Sequence, residues 1–287
     1  MYVSMTDMLE RASAGHYGVM AINCFNLESV YATIKAAESA DAPIIIDLLM
    51  EHLEKHIPRE YVLPPAILMA KAAKVEVAIN LDHGKSEDYV TDSIAAGFSS
   101  VMIDESEKPF QDNVQITRRI VELARQKGIS VEAEVGNMGA VKGDHLTQAD
   151  MYTDPDEAIK FIKRTGVTAL ALSFGSSHGI MPKGFVPVFD FDIVKKVKEA
   201  TGIPLVLHGG SGCGAENIKK AIAAGICKVN VGSDVMKAQA DAVYKQQQEN
   251  RSIEYVDLMQ GTLQPAMDMV TKYIEISGSA GKNFKTM

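Results

Sequence analysis

Eight short apolar runs, each set apart from the next by helix-like sequence, constrain this chain more than any other feature. They cover residues 18–24, 43–49, 77–83, 100–105, 130–135, 169–174, 204–209 and 228–233. Most are dense in Val, Ile, Leu and Ala with little alternation, the pattern of strands buried on both faces, as in parallel sheets. Between them, 112–127 carries Val114, Ile116, Ile120, Val121 and Leu123 at mostly helical spacing, and Gly128 stops it. A glycine punctuates the passage from helix to strand at Gly97, Gly128, Gly166, Gly202 and Gly225. Eight such units in 287 residues predict an α/β fold of the (β/α)8, or TIM, barrel type. A doubly wound open sheet is the second reading, but no GxGxxG follows the first strand. No Pro/Gly/Ser-rich linker divides the chain, so residues 1–287 are expected to form one domain. Its tail, about 253–287, has a helical pattern through Tyr255, Leu258, Leu263, Met267, Val270 and Ile274. That apolar face is expected to pack on the barrel or on another subunit.

Charge and cysteine content narrow the function. The net charge is −8 and no basic block occurs, which argues against nucleic acid or an anionic membrane as partner. No apolar run approaches membrane-span length, and the N-terminus resembles neither a signal nor a transit peptide, so a cytoplasmic protein is expected. Cys24, Cys213 and Cys227 are odd in number and lack CxxC spacing, which predicts neither a disulfide framework nor a thiolate metal site.

In a barrel of this type, functional groups gather where the strands end at their C-termini. His83, His178 and His208 all fall there, too far apart in sequence for a local metal knot. Three imidazoles on one rim would bind Zn²⁺ and leave a coordination position for substrate. The remaining histidines, His16, His52, His56 and His145, read as structural or exposed. Asp82, just before His83, is placed either as a general acid/base or as a carboxylate orienting an imidazole. Asp104 and Glu134 stand on neighbouring rims as orienting groups or an alternative metal position. Gly209-Gly210-Ser211-Gly212 and Asn230-Val231-Gly232-Ser233 follow the seventh and eighth runs, where barrels often hold phosphate through backbone N–H groups. Plain tight-turn glycine is the competing reading.

With these residues in view, the chain resembles the class II, zinc-dependent ketose-bisphosphate aldolases, especially the shorter branch with tagatose-bisphosphate and phospho-ketogluconate aldolases. The resemblance rests on Ala21-Ile-Asn23-x-x-Asn26, Leu81-Asp-His-Gly84, Gly97-Phe-Ser-Ser-Val-Met-Ile-Asp104 and Val131-Glu-Ala-Glu-Val-Gly136. Gly175-x-x-His178-Gly179, Pro204-Leu-Val-Leu-His-Gly-Gly-Ser-Gly212 and Lys228-Val-Asn-Val231 complete it. It implies that His83, His178 and His208 bind zinc and that Asp82 carries the proton. It also implies that Asn23, Gly179, Gly209, Gly210, Ser211, Asn230, Val231, Gly232 and Ser233 hold a moiety like dihydroxyacetone phosphate. A monovalent cation beside the phosphate loops and a homodimer or homotetramer are further implied.

Departures fall on the aldehyde side. Asp47-Leu-Leu-Met50 stands where many members have a small Ser/Gly pair, Glu105 replaces a glycine, and Lys142 lies at or near an acidic position. Ile180-Met-Pro-Lys183 replaces a common Tyr-Lys pair, and Ser233 a usual Thr. The expected activity is therefore retro-aldol cleavage of a ketose phosphate, with fructose 1,6-bisphosphate not assured as substrate. The alternatives are an aldolase for another ketose or sugar acid, a metal-dependent hydrolase, and a non-catalytic subunit that binds sugar phosphate.

Overall fold

The apolar runs form a closed parallel barrel in sequence order, β1-β2-β3-β4-β5-β6-β7-β8. A computed structural model describes residues 1–136, 152–175 and 188–284 of the chain. Helix α1 (Met5–Gly15) precedes β1 (Val19–Asn23), followed by α2 (Leu27–Ser39), β2 (Ile44–Leu49), α3 (Met50–Lys55) and α4 (Arg59–Ala72). Next come β3 (Val77–Gly84), α5 (Glu87–Ala96), β4 (Ser100–Ile103), α6 (Phe110–Arg125) and β5 (Ser130–Val135). The chain continues through α7 (Pro155–Thr165), β6 (Ala169–Leu172), α8 (Phe191–Thr201), β7 (Leu205–Leu207), α9 (Ala215–Ala224) and β8 (Ile226–Val231). It closes with α10 (Ser233–Glu249), α11 (Tyr255–Gln260) and α12 (Leu263–Ser277).

The strand boundaries deviate where local chemistry intervenes. The last strand starts at Ile226 and ends at Val231, because Gly225 sits at a φ of 129° and ends α9. Gly232 and Ser233, expected in that strand, instead open α10. The C-terminal pattern divides into α11 and α12 at Gly261. Helix α12 packs against α2 and α10, so its apolar face meets the barrel's own outer layer.

Two apolar layers hold the barrel. The larger joins outward-facing strand residues such as Ile22, Ile46, Ile79 and Leu207 to the surrounding helices. The smaller fills the lower interior with Ala21, Ile45, Ala78, Ala171 and Val206, and α1 closes it with Met5, Met8, Leu9 and Ala12. Burial of a side chain the size of Met8 or Leu9 contributes about 1.5–3 kcal/mol. Above this floor the inward positions turn polar. Ala21 gives way to Asn23, Ile45 to Asp47, and Ala78 to Asn80 and Asp82 along β1, β2 and β3, in pairings Asn23↔Asp47 and Asp47↔Asn80. The interior thus has an apolar bottom and a polar top, and the top is where strand C-termini converge.

Candidate active site

Two local distortions aim side chains into that top. The first is at His83, whose φ of 46° places a non-glycine residue in the left-handed region. Consecutive residues of an extended strand face opposite ways. The turn at His83 lets both Asp82 and His83 face the site, with Asp82 Oδ1 3.9 Å from His83 Nε2. The second is a register shift in β8 between the pairs Leu205↔Ile226 and Val206↔Lys228. Across it, Cys227 joins the lower interior while the adjacent Lys228 reaches the polar layer.

Facing imidazoles form the centre. His208 Nδ1 and His83 Nε2 lie 3.0 Å apart, with the rings edge to face. The remote nitrogen of each ring is held by a carboxylate. His83 Nδ1 is 2.8 Å from Asp104 Oδ2, and His208 Nε2 is 2.6 Å from Glu132 Oε1. A carboxylate accepts and cannot donate, so these contacts put a proton on His83 Nδ1 and on His208 Nε2. With His83 charged, its Nε2–H donates to His208 Nδ1, and loss of that proton would turn both inner nitrogens toward one point as donors to a cation.

The carboxylates are anchored in turn. Asp104 accepts from Ser106 Oγ at 2.7 Å. Glu132 Oε2 is 2.8 Å from Lys228 Nζ, and Lys228 also lies 3.5 Å from Asp47 Oδ2. All three of these side chains are fully buried. Asn80 Nδ2 donates to the other Asp47 oxygen at 2.9 Å. A buried chain of opposite charges therefore runs from Asp47 through Lys228 and Glu132 to His208.

Electrostatics follow this layout. Burial works against a charged His83, but Asp82 and Asp104 overcome it and raise its pKa to about 10. Burial lowers the pKa of His208. Asp82 is buried, which favours its neutral form, yet His83 and His208 hold its pKa below the usual carboxylate range. Burial raises Asp47 to about 7 despite the attraction of Lys228. Asn23 Nδ2 donates to Asp82 Oδ2 at 2.6 Å, and Asn230 Nδ2 lies 3.5 Å from Oδ1.

The structure separates roles that the sequence left open. Asp104 and Glu132 hold the remote imidazole nitrogens, which leaves Asp82 free of that orienting task. Asp82, His83 and His208 present ligand atoms within 4.8 Å of one another, as do His83, Asp104 and Glu134. His178, Gly179, Lys142 and Lys183 lie outside the described residues. Glu132 and Lys228 received no site role from sequence reasoning, and Asp47 entered only as the start of the run on the aldehyde side. Their signal was a charged residue inside an otherwise apolar strand run, where burial demands a partner.

The glycine loops meet beside His208. Gly210 N–H donates to Asn230 O at 2.9 Å, and Asp234 N–H donates to Ser211 Oγ at 3.2 Å. A Cβ on Gly210 would sit 2.7 Å from Asn230 O, and one on Gly232 would sit 2.7 Å from Asn23 Oδ1. Close approach accounts for these two glycines. The Val231 side chain is fully buried in the outer apolar layer, so only its backbone can serve a ligand. Glu105 is 5% exposed and pairs with Lys108 at 2.8 Å.

Comparison with known proteins agrees with this geometry. The family model described as fructose-bisphosphate aldolase class-II matches residues 3–282. The chain is 40% identical over 244 residues to a 6-phospho-5-dehydro-2-deoxy-D-gluconate aldolase of Halalkalibacterium halodurans, covering 84% of this chain and 83% of that protein. It is 40% identical over 247 residues to a fructose-bisphosphate aldolase of Geobacillus stearothermophilus, covering 84% of each. Among solved structures, the YdjI aldolase from Escherichia coli K12 matches with a TM-score of 0.86 and 30% identity, covering 99% of this chain and 100% of that one.

Proposed function

The chain belongs to the class-II fructose-bisphosphate aldolase family and is a lyase, and on that premise we propose that it cleaves a ketose phosphate by a zinc-dependent retro-aldol reaction. The proposed products are dihydroxyacetone phosphate and an aldehyde. The observation that carries the reading is the pair of imidazole nitrogens facing each other at 3.0 Å, with both remote nitrogens held by carboxylates and Asp82 alongside. His83 and His208 fit a divalent cation as neutral nitrogen donors, and His178 would complete the set. A cation there acts as a Lewis acid and stabilises the negative charge left on the ketone half when the C3–C4 bond breaks.

The remaining work falls to the chain's own groups. As a carboxylate, Asp82 takes the proton of the C4 hydroxyl in cleavage and returns that proton in condensation. Asn23 fixes the carboxylate by donating to Oδ2, which keeps Oδ1 directed toward the imidazoles. Backbone N–H groups of 209–211 and 230–233, other than the Gly210 N–H that donates to Asn230 O, would hold the phosphate at one end of the ketose. The α10 N-terminus at Ser233 adds a favourable dipole for that anion.

The test is a condensation and cleavage assay on metal-loaded protein, with triose products detected directly. Chelation should abolish turnover and zinc should restore it. Turnover that persists after complete metal removal would overturn the zinc reading. Since one close relative is named for a deoxygluconate phosphate, the substrate panel should include sugar-acid phosphates beside bisphosphates.

A further inference from the structure

The β2 side of the mouth contains a histidine that the reaction above does not use. The last residue of β2, Leu49, pairs with Asp82 of β3, and α3 begins at the next residue. His52 therefore stands on the rim beside Asp82, in the first turn after the strand. Its ring meets Phe25, from the β1 loop, edge to face at 6.3 Å, and Phe25 also contacts His56 at 6.2 Å. These aromatic contacts fix the orientation of the His52 ring.

Within that ring the nitrogens differ. Nδ1 is buried and has no hydrogen-bond partner among the described residues. The residue as a whole is only partly buried, so the ring is not sealed on every side. A neutral ring accommodates this by leaving the lone pair on Nδ1 and the proton on Nε2. Burial also lowers the pKa of His52, against the opposing pull of Glu51 and Asp82, and so favours the neutral ring. Lys55 and His56 add to the effect of burial, and a neutral imidazole is a better seat for a hydroxyl than for a phosphate.

We propose that His52 is a specificity-determining residue whose Nε2 edge hydrogen-bonds a hydroxyl on the aldehyde half of the substrate, apart from the glycine loops of β7 and β8. The inference rests on the aldol reading and names the chemistry of its second substrate: a hydroxylated aldehyde. The chain's departure along Asp47–Met50 is consistent with this. The run Asp47-Leu-Leu-Met50 stands where many members have a small Ser/Gly pair, and His52 supplies a hydrogen-bonding group three residues after Leu49.

The test is condensation of dihydroxyacetone phosphate with glyceraldehyde and with propanal, which lacks the hydroxyls. The kcat/KM ratio of the two aldehydes is compared for the wild-type protein, His52→Phe and His52→Gln. Phe keeps the packing on Phe25 and removes the nitrogens, whereas Gln returns a polar amide. The expected result is a glyceraldehyde-to-propanal ratio at least tenfold lower in His52→Phe and largely restored in His52→Gln. Metal content is measured on each variant as a check on folding. An unchanged ratio, or a parallel loss with both aldehydes, overturns the role of His52 and leaves the aldolase reading intact. A wild-type protein that condenses neither aldehyde overturns the hydroxyaldehyde assignment, and only loss of turnover across the whole substrate panel overturns the aldol reading.

Discussion

His208 Nε2 lies 2.6 Å from Glu132 Oε1, and both side chains are completely buried. The contact decides which nitrogen of His208 faces the cation position. Glu132→Gln keeps the shape but replaces a charged acceptor with an amide that presents a donor or a weaker acceptor. Loss of such a partner typically lowers metal affinity about 10–100-fold. Competition titration with a chromogenic chelator should show a drop of that order, and unchanged affinity would rule out Glu132 as the group that orients His208.

Metal binding and proton transfer should separate by mutation. His208→Ala removes a nitrogen from the convergent pair at 3.0 Å, so bound zinc and turnover should both be lost. Asp82→Asn keeps the hydrogen-bonding frame with Asn23 but cannot accept the C4 hydroxyl proton. Zinc content should stay near one equivalent while kcat falls about 10²–10⁴-fold. Elemental analysis beside steady-state kinetics checks the pair. Zinc loss in Asp82→Asn would reassign Asp82 as a ligand, which its place within 4.8 Å of the two histidine donors permits.

The barrel and the place of His83 and His208 at its mouth were legible because their signals are local. Strand runs, glycine stops and polar residues at strand C-termini each declare themselves within a few positions. Asp82 and His83 illustrate the limit. Their adjacency is plain in sequence, but alternation along a strand predicts opposite faces, and only the left-handed turn at His83 brings them together. The link from Asp47 to Lys228 was harder still, because it joins β2 to β8 through a register shift that no periodicity encodes. On β5, Glu134 was singled out in sequence and Glu132 was passed over. Depth in the barrel separates them, with Glu132 bound to His208 and Glu134 near His83 and Asp104.

Removing the buried cation should be severe. Lys228→Met leaves Asp47 and Glu132 as two fully buried carboxylates with their shared counter-charge gone. Breaking one side of a buried ion pair costs about 3–5 kcal/mol. Denaturant unfolding should show a loss of that size. Asp47→Asn combined with Lys228→Met should recover part of it by deleting one of the stranded charges. A double variant no more stable than Lys228→Met would show that Asp47 does not depend on this lysine.

Gly232→Ala probes the seam between the anion loops and the proton-carrying carboxylate. The added Cβ would fall 2.7 Å from Asn23 Oδ1, too close without movement of one partner. Gly232 has a negative φ of −127°, so no left-handed backbone demands glycine there, and the contact with Asn23 is the close conflict. Displaced Asn23 would lose its 2.6 Å hydrogen bond to Asp82 Oδ2 and free that carboxylate to rotate. Misplacement of a reacting group by about 1 Å can cost on the order of 10²-fold in rate. The expected result is a kcat reduced by about that factor, with zinc content unchanged because neither histidine is touched. Asn23→Ala in the same background should then add little, since the contact it would remove is already broken. Fully additive losses would show that Gly232 acts on the phosphate loop alone.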